Sequence, residues 1–255
     1  MASERFRFPG ASGQMLDGRI DRPGGPPIGT ALFAHCFTCT KDSKAAAHVA
    51  RSLADAGWRV LRFDFTGLGG SEGEFANAGF VTNIDDITSA AAALDKAGDP
   101  VGLLIGHSLG GAAVIAAAER IASVRAVATI GAPFHVDHVL ERLGEGVRDA
   151  EREGVADIDI GGRPFKISRD FIAQVFDQPQ AQRLAHLRRA LMVMHAPTDT
   201  VVGLDNAKQI FEAARHPKSF VALDGADHLL TNAGSAHYAA RIIAAWAARY
   251  AEEKA

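Results

Sequence analysis

The stretch Leu104–Gly111, with the sequence LIGHSLGG, places a G-x-S-x-G pattern between two segments of different character. The short apolar run Val101–Gly106 predicts a buried strand, and the alanine-rich run Leu109–Ile121 predicts a helix. A serine on such a strand-to-helix turn holds its hydroxyl above the sheet, and glycines two residues before and after it let the two backbones pass closely. The context therefore favours Ser108 as a nucleophile over a serine that only caps a glycine-rich turn.

A nucleophilic serine needs a base, and the base needs an acid that orients it. Asp199 follows the predicted strand Ala190–His195, and His228 follows the predicted strand Ser219–Leu223. Because both strands end at the C-terminal edge of the predicted sheet, we expect both side chains to meet the serine there. The order serine, acid, histidine predicts a triad of Ser108, Asp199 and His228.

Other acids and histidines compete for these two roles. For the acid, Asp224 and Asp227 lie close to His228 in sequence, and Asp137 follows a preceding strand. For the base, His35 in the first loop and His107 beside the serine could both be structural, whereas His135 and His138 could reach a pocket from an irregular segment. The other five histidines lie on predicted helices or at strand ends: His48, His186, His195, His216 and His237.

Short apolar runs alternate with longer helical patterns along the chain. This alternation predicts an α/β fold with a mostly parallel central sheet of about eight strands, covered by helices on both faces. The weak alternation of Arg5–Asp21 adds two antiparallel strands. The other predicted strands are Gly29–His35, Arg59–Phe65, Val101–Gly106, Val124–Ile130, Ala190–His195 and Ser219–Leu223. The predicted helices are Ser43–Ala56, Val81–Ala97, Leu109–Ile121, Leu204–Ala214 and Gly234–Tyr250.

The segment Phe134–Arg189 breaks this rhythm because it is long, charged and irregular. A parallel crossover needs only about a dozen residues, so the excess predicts a cap inserted into a single domain that spans residues 1–255. We expect the apolar side chains of this cap to pack over the nucleophile. The elements predicted within it are a helix at Val136–Leu143, a hairpin at Asp157–Ile167, and helices near Ser168–Phe176 and Gln180–Leu187.

Several stretches beyond the serine turn resemble the α/β-hydrolase family over nearly the whole chain. APTDTVVG and GADHLL are similar to the family's acid and histidine loops, and DFTGLGGS is similar to its D-x-x-G-x-G-x-S loop. HCFTCTKD, LRFDFTGLGGSEGEF, ATIGAPF and HPKSFVALDGADHLL narrow the resemblance to the hydrolase domain often joined to an OsmC-like peroxide-resistance domain, of which the chain would carry the hydrolase part alone. The resemblance implies an α/β-hydrolase fold and an esterase-type serine hydrolase with the triad Ser108, Asp199 and His228.

The loop after the third strand, residues His35–Thr38, is expected to help form an oxyanion hole, which needs two backbone N–H donors; it is called the oxyanion loop below. One donor is the amide of Leu109, directly after the serine. Many α/β-hydrolases have His-Gly-x in this loop, and carrying that pattern over by position makes Phe37 the second donor, with Cys36 in place of the glycine. We expect the substrate pocket to be lined by Phe37, His107, Phe134, Phe171 and Phe176.

Cys36 and Cys39 are the two cysteines of the chain, and we expect them to be small buried thiols. A redox pair would favour C-x-x-C at a helix N-terminus in a thioredoxin-like context, and zinc would need further ligands at a matching spacing. A reversible disulfide that gates the oxyanion loop is the alternative.

Composition narrows the function classes further. The 255 residues are 47% hydrophobic and 22% charged, which is ordinary for a globular protein. The net charge of −3 without a basic patch argues against nucleic acid and an anionic membrane as partners. The lack of an apolar run of signal-peptide or membrane-span length predicts a cytoplasmic protein. The glycines of Gly67–Gly73 lack the G-x-G-x-x-G spacing, which argues against dinucleotide binding.

These observations predict a serine hydrolase that cleaves small-molecule carboxylic esters without a metal or cofactor. Ser108 would attack the acyl carbon, His228 would act as general base and then acid, and Asp199 would hold the imidazole tautomer. A thioesterase or acyltransferase would use the same residues. A non-catalytic binding module on a hydrolase fold is a further alternative, although the intact set of three residues argues against it.

Overall fold

The computed structural model describes residues 2–141, 143–160, 162–176 and 178–251, and its centre is an eight-stranded sheet. In chain order the strands are β1 (Ser3–Pro9), β2 (Met15–Asp21), β3 (Gly29–Ala34), β4 (Trp58–Phe63), β5 (Val101–His107), β6 (Ala126–Ile130), β7 (Val155–Asp159), β8 (Pro164–Ser168), β9 (Ala190–His195) and β10 (Lys218–Ala222). The helices are α1 (Lys44–Asp55), α2 (Phe80–Lys96), α3 (Leu109–Ala117), α4 (His138–Glu141), α5 (Glu145–Glu153), α6 (Arg169–Val175), α7 (Gln180–His186), α8 (Leu204–Ala213) and α9 (Ala233–Ala251).

The strand order in the large sheet is β1-β2-β4-β3-β5-β6-β9-β10. Strands β3, β4, β5, β6, β9 and β10 pair in parallel, whereas β1 pairs with β2, and β2 with β4, in antiparallel register. This arrangement confirms the predicted mostly parallel sheet with an antiparallel pair at its N-terminal side. Since the parallel strands all run the same way, the loops that follow β3, β5, β9 and β10 leave from one edge.

The two faces of the sheet hold two separate apolar clusters. Along β5, Leu104 points into one cluster with Val114 of α3, while Leu103 and Ile105 point into the other with Ile243 of α9. This alternation follows from the two-residue period of a strand, and burial on both faces explains why the strand is apolar throughout.

Helix α3 follows the nucleophile turn and is buried on every side, because all its residues are apolar or glycine. A helix that is apolar all round belongs in the interior. It packs between β5 and α2, and the Gln180 amide donates to the Ala112 carbonyl across 3.1 Å. The strand, the turn and the helix therefore form a rigid support for Ser108.

The structure departs from the sequence prediction mainly within residues 134–189. Among the described residues, the helix predicted at Val136–Leu143 is present as the single turn of α4, and α5 forms in a stretch for which the sequence predicts no helix. Helix α5 lies between Gly144 and Gly154 and buries only Ala150, so its apolar signal is weak. The predicted hairpin is present as β7 and β8, and Gly161 of its turn lies outside the described residues.

Across the residues that the structure describes, no helix has both the length and the apolar character needed to cross a membrane.

Candidate active site

Ser108, His228 and Asp199 meet at the C-terminal edge of the sheet and are joined by two hydrogen bonds. The His228 Nε2 lies 3.0 Å from the Ser108 Oγ, and the His228 Nδ1 lies 2.7 Å from the Asp199 Oδ2. Ser108, His228 and Asp199 lie in the loops after β5, β10 and β9, respectively. Even the nearest two of them in sequence, Asp199 and His228, are separated by 29 positions. The geometry is that of a nucleophile, a base within hydrogen-bond reach, and an acid that orients the base.

The turn at Ser108 forces the serine into a backbone conformation that few residues other than glycine adopt. Its φ is 54° and its ψ is −125°. The glycines of the pattern permit this turn: a Cβ on Gly106 would lie 2.3 Å from the Gly110 carbonyl oxygen, and a Cβ on Gly110 would lie 2.4 Å from the His35 carbonyl oxygen. The spacing of G-x-S-x-G thus follows from two close backbone contacts on either side of the serine.

Asp199 is held as a carboxylate by donors on both of its oxygens. Its Oδ1 accepts the Val201 and Val202 N–H groups at 2.8 and 2.9 Å, while its Oδ2 faces His228. Burial opposes ionisation, but the hydrogen bonds from His228 and the two amides outweigh it and hold the pKa of Asp199 below its ordinary value. An ionised Asp199 can therefore fix the proton of His228 on Nδ1 and leave Nε2 free to accept the serine proton.

The other candidate acids do not contact the base. Asp227 accepts hydrogen bonds from the Thr231 N–H and hydroxyl at an exposed position. Within the described part of the chain, no hydrogen bond joins the His228 ring to Asp224 or Asp137.

His107 lies beside Ser108 in sequence but is not among the described lining of the cleft, and its role as a pocket residue stays a prediction. It is 1% exposed, and its Nε2–H donates to the His228 backbone carbonyl at 2.7 Å. Burial, assisted by the proximity of His228, lowers the pKa of His107 to about 4. His107 is therefore a neutral donor at neutral pH, and it ties the nucleophile turn to the loop of the base. Sequence reasoning missed this role because the direction of a side chain on a turn cannot be read from its position.

The loop after β3 presents the predicted second oxyanion donor. Within the described residues, the Phe37 N–H has no protein acceptor, and the Leu109 N–H belongs to the first turn of α3, where intrahelical acceptors are absent. Both residues line the same cleft as Ser108 and His228. His35 anchors the start of the loop: its ring accepts the Phe65 N–H and donates to the Cys36 carbonyl.

Cys36 and Cys39 form a disulfide, which corrects the prediction of two free thiols. The turn between them is closed by a hydrogen bond from the Cys39 N–H to the Cys36 carbonyl, and it brings their Cα atoms to 5.3 Å, within the usual range for a disulfide. The bridge encloses Phe37 and Thr38, and both cysteines line the cleft. The sequence contained the necessary C-x-x-C spacing, but the turn that brings the sulfurs together was not predicted.

A buried charge cluster lies under this loop. The Lys41 Nζ contacts Asp64 at 2.6 Å and Asp17 at 2.9 Å, and the Lys41 N–H donates to Asp64 at 2.6 Å. The Asp64 carboxylate also accepts the Gly70 N–H, and a Cβ on Gly69 would lie 2.2 Å from it. The glycine-rich loop that follows β4 therefore wraps a carboxylate of the protein itself.

The cleft above Ser108 has a volume of about 400 Å³. Among the described residues, its lining beyond the triad and the oxyanion loop comes from Pro133, His138, Val139, Leu143, Ile160, Arg163, Val201, Val202 and Leu229. His138, Val139, Leu143, Ile160 and Arg163 all belong to residues 134–189. The segment thus contributes a wall of the cleft, but through side chains other than those predicted.

Phe134, Phe171 and Phe176 are not among the described lining of this cleft, although Phe171 lines a small neighbouring cavity with Phe37 and Leu109, and their role in a substrate pocket stays a prediction. Phe171 is buried behind Phe37, with ring centroids 5.8 Å apart. Phe134 packs on His135, and Phe176 is 46% exposed at the end of α6. The sequence shows that these side chains are apolar, but it does not show which side of the segment faces the serine.

No group of three or more His, Cys, Asp or Glu side chains in the described ranges is placed to hold a metal ion.

The comparisons with known proteins agree with this fold. A model of the alpha/beta hydrolase family matches residues 31–249, and the chain therefore belongs to that family. The crystal structure of the esterase domain of a Rhodothermus marinus protein is 41% identical, has a TM-score of 0.79, and covers 98% of this chain and 100% of its own.

Two further solved structures and one curated sequence are more distant. Est1E from Butyrivibrio proteoclasticus, with ferulic acid bound, is 19% identical with a TM-score of 0.74 over 93% of this chain and 97% of its own. An α/β serine hydrolase without a lid from Xanthomonas campestris is 20% identical with a TM-score of 0.66 over 96% of this chain and 95% of its own. These two support the fold alone. An uncharacterized protein of Rickettsia prowazekii is 33% identical over 91 residues, which make up 34% of this chain and 36% of that protein. The resemblance to OsmC-linked hydrolases stays a prediction.

Proposed function

We propose that the protein is a serine esterase that cleaves small-molecule carboxylic esters through an acyl-enzyme. The observation that carries this proposal is the continuous hydrogen-bonded set of Ser108, His228 and Asp199 at the mouth of a cleft. The 41% identity to an esterase domain over nearly the whole chain supports the same reaction class.

The proposed reaction uses each group at a stated atom. The His228 Nε2 takes the proton of the Ser108 hydroxyl as Oγ attacks the acyl carbon, and the Phe37 and Leu109 N–H groups donate to the resulting oxyanion. The protonated Nε2 then gives its proton to the leaving alcohol oxygen. Water, deprotonated by the same nitrogen, cleaves the acyl-enzyme, and the proton returns to the Ser108 Oγ. Asp199 accepts the Nδ1–H throughout and stabilises the charged imidazolium.

We further propose that the chain forms one hydrolase domain in which residues 134–189 act as the cap. The side chains of Val139, Leu143 and Ile160 in the cleft wall support this role. The apolar wall suits an uncharged hydrocarbon part of an ester, and it excludes some of the water that would compete with the acyl transfer.

The test is labelling with a fluorophosphonate, combined with turnover of matched oxygen esters and thioesters. The wild-type protein is expected to be labelled at Ser108 and to hydrolyse short-chain oxygen esters. Ser108→Ala should lose labelling and about a millionfold in kcat, while its thermal unfolding stays close to wild type. Ser219→Ala on β10, away from the cleft, is the matched control and should be labelled normally.

Three outcomes would count against the proposal. Absence of labelling in the wild type would favour a binding module, and labelling that persists in Ser108→Ala would place the nucleophile elsewhere. Turnover confined to thioesters would move the activity to a thioesterase with the same residues.

A further inference from the structure

Arg163 is a charged side chain in the cleft that the proposed reaction does not use. It lies in the turn between β7 and β8 and lines the cleft together with Ser108 and His228. Its Nη2 donates to the Thr38 carbonyl at 2.6 Å, so the side chain reaches from the hairpin to the oxyanion loop. The guanidinium also lies 5.5 Å from the centre of the Phe165 ring.

The positive charge of Arg163 is not balanced by a carboxylate of the described residues. Of the hairpin acids, Asp157 pairs with Lys166, and Asp159 accepts the Gly162 N–H. A guanidinium has five N–H donors, and the Thr38 carbonyl accepts from one nitrogen. Donors therefore remain that can bind a further acceptor from the cleft.

The other described residues that line the cleft carry no compensating carboxylate. Among its described lining residues, Arg163 is the one arginine, and there is no lysine, aspartate or glutamate. Most of the wall is apolar, and a single sign of charge beside a low-dielectric wall attracts an opposite charge more strongly than it would in open water. An ester with an anionic group would meet this attraction when it enters.

We infer that Arg163 is a specificity-determining residue that binds a carboxylate carried by the substrate, so that the preferred substrates are monoesters of dicarboxylic acids or esters of similar charge. This inference rests on the proposed esterase function. A carboxylate fits better than a phosphate because one planar guanidinium matches the charge and the paired oxygens of one carboxylate.

The alternative is that Arg163 only braces the oxyanion loop through Thr38. The two roles differ in what they change: bracing alters the rate on every ester alike, whereas recognition alters the ratio between charged and neutral esters. The ratio is therefore the quantity to measure.

The experiment compares monoethyl esters of succinic, glutaric and adipic acid with ethyl esters in which an isopropyl group replaces the distal carboxylate. The wild type is expected to have the higher kcat/KM on the charged ester for at least one chain length. Arg163→Gln should lower the charged-to-neutral ratio by about tenfold to a hundredfold, mainly through KM, because a charged hydrogen bond is lost. Arg163→Lys should retain part of the ratio, and Lys166→Gln, on the same hairpin outside the cleft, should leave it unchanged.

A second measurement separates this inference from the esterase proposal. The non-hydrolysable monoamides of the same diacids, and their neutral isosteres, are titrated calorimetrically into Ser108→Ala and into Ser108→Ala/Arg163→Gln. Tighter binding of the charged amide that disappears with Arg163 supports recognition even if no ester is turned over. A wild-type ratio at or below one for every chain length, or an equal loss on both esters in Arg163→Gln, would overturn the inference.

Discussion

Ser108 is held in its unusual backbone conformation by contacts that do not involve its hydroxyl. Its N–H donates to the Ile130 carbonyl at 2.8 Å, and its carbonyl accepts the Gly111 N–H at 2.8 Å. Strain of this kind costs on the order of 1–3 kcal/mol and persists only where the surroundings enforce it. The position of the nucleophile is thus a property of the turn, which is why removal of the hydroxyl should leave the fold in place.

Replacement of Asp199 tests the orientation of the base. Asp199→Asn should lower kcat by about ten thousandfold with little change in KM, because an amide presents a donor to Nδ1 and favours the wrong tautomer. The measurement is steady-state kinetics on a neutral ester. Asp227→Asn is the matched control, since Asp227 binds Thr231 at an exposed position, and its effect should be small.

The opposite result would be informative as well. A severe loss in Asp227→Asn with a mild one in Asp199→Asn would show that the acid has been misassigned.

Residues whose position follows from strand ends could be predicted, and those that depend on side-chain direction could not. Ser108, Asp199 and His228 each follow a strand of the parallel part of the sheet, so their convergence follows from the common direction of those strands. The sequence predicts His107 as a pocket residue, whereas its ring binds the His228 backbone carbonyl, and no sequence pattern predicts Arg163 in the cleft. Nothing in the local pattern of either residue shows which way its side chain points.

At the scale of elements, β5 and α3 approach so closely that glycine is required at their junction. Gly106→Ala should destabilise the protein by at least about 2 kcal/mol, because the new methyl group would meet the Gly110 backbone at 2.3 Å. Gly102→Ala in the same strand is the matched control, since nothing lies within 4 Å of a Cβ there. Denaturant unfolding of both variants checks this, and an equal loss in the two would show that the junction can relax.

We expect the Cys36–Cys39 disulfide to make the proposed oxyanion loop sensitive to reductant. A persistent disulfide is uncommon in a reducing cytosol, so a cytoplasmic location, which stays a prediction, would favour the dithiol form in the cell. Opening the bridge frees the turn that holds the Phe37 N–H, and we expect kcat on a neutral ester to fall several-fold in the reduced protein. Titration of free thiols and measurement of kcat, each with and without reductant, check this. The Cys36→Ser/Cys39→Ser double variant should have the kcat of the reduced protein, and reductant should not change it. An unchanged rate after complete reduction would exclude a gating role.

The sequence predicts the parallel strands of the sheet to within two residues at each end, whereas it predicts the elements of residues 134–189 less well. Strand β9 was predicted with the bounds it has, because a fully apolar run between turn signals has few alternatives. Helices α4 and α5 have four and nine residues, which is too short for stability without contacts to the rest of the molecule, and α5 buries only Ala150. Tertiary contacts of this kind leave little trace in local sequence.

At the scale of the whole molecule, a buried carboxyl group makes stability depend on pH. Asp86 of α2 is 0% exposed and accepts the Thr66 N–H and hydroxyl. Burial is the largest influence, and it raises the pKa of Asp86 from 3.8 to about 6 in spite of those hydrogen bonds. Because the folded-state pKa is the higher one, the stability from Asp86 is fully present below its unfolded value and is lost as the pH rises through about 6.

The expected result concerns the difference in unfolding free energy between the wild type and Asp86→Asn. Between about pH 4.5 and about pH 7.5, the wild type should lose about 2 kcal/mol of unfolding free energy relative to Asp86→Asn. Denaturant titrations at both pH values measure it, and Asp95→Asn, at an exposed position of the same helix, should show no such shift. A difference that does not change with pH would mean that Asp86 is ionised in both states.

Lys41 lies in a buried charge cluster, whereas Arg163 is more exposed. Turnover of neutral esters and the preference for charged esters should therefore respond differently to ionic strength. Ions screen charges at the surface but reach buried pairs poorly. Molar salt should therefore leave the oxyanion loop next to Lys41 nearly unchanged. The turnover of a neutral ester should then also stay nearly the same. The same salt should weaken the attraction of Arg163 for a carboxylate and erode the preference for charged esters. A saline environment would thus broaden the range of substrates without slowing the enzyme.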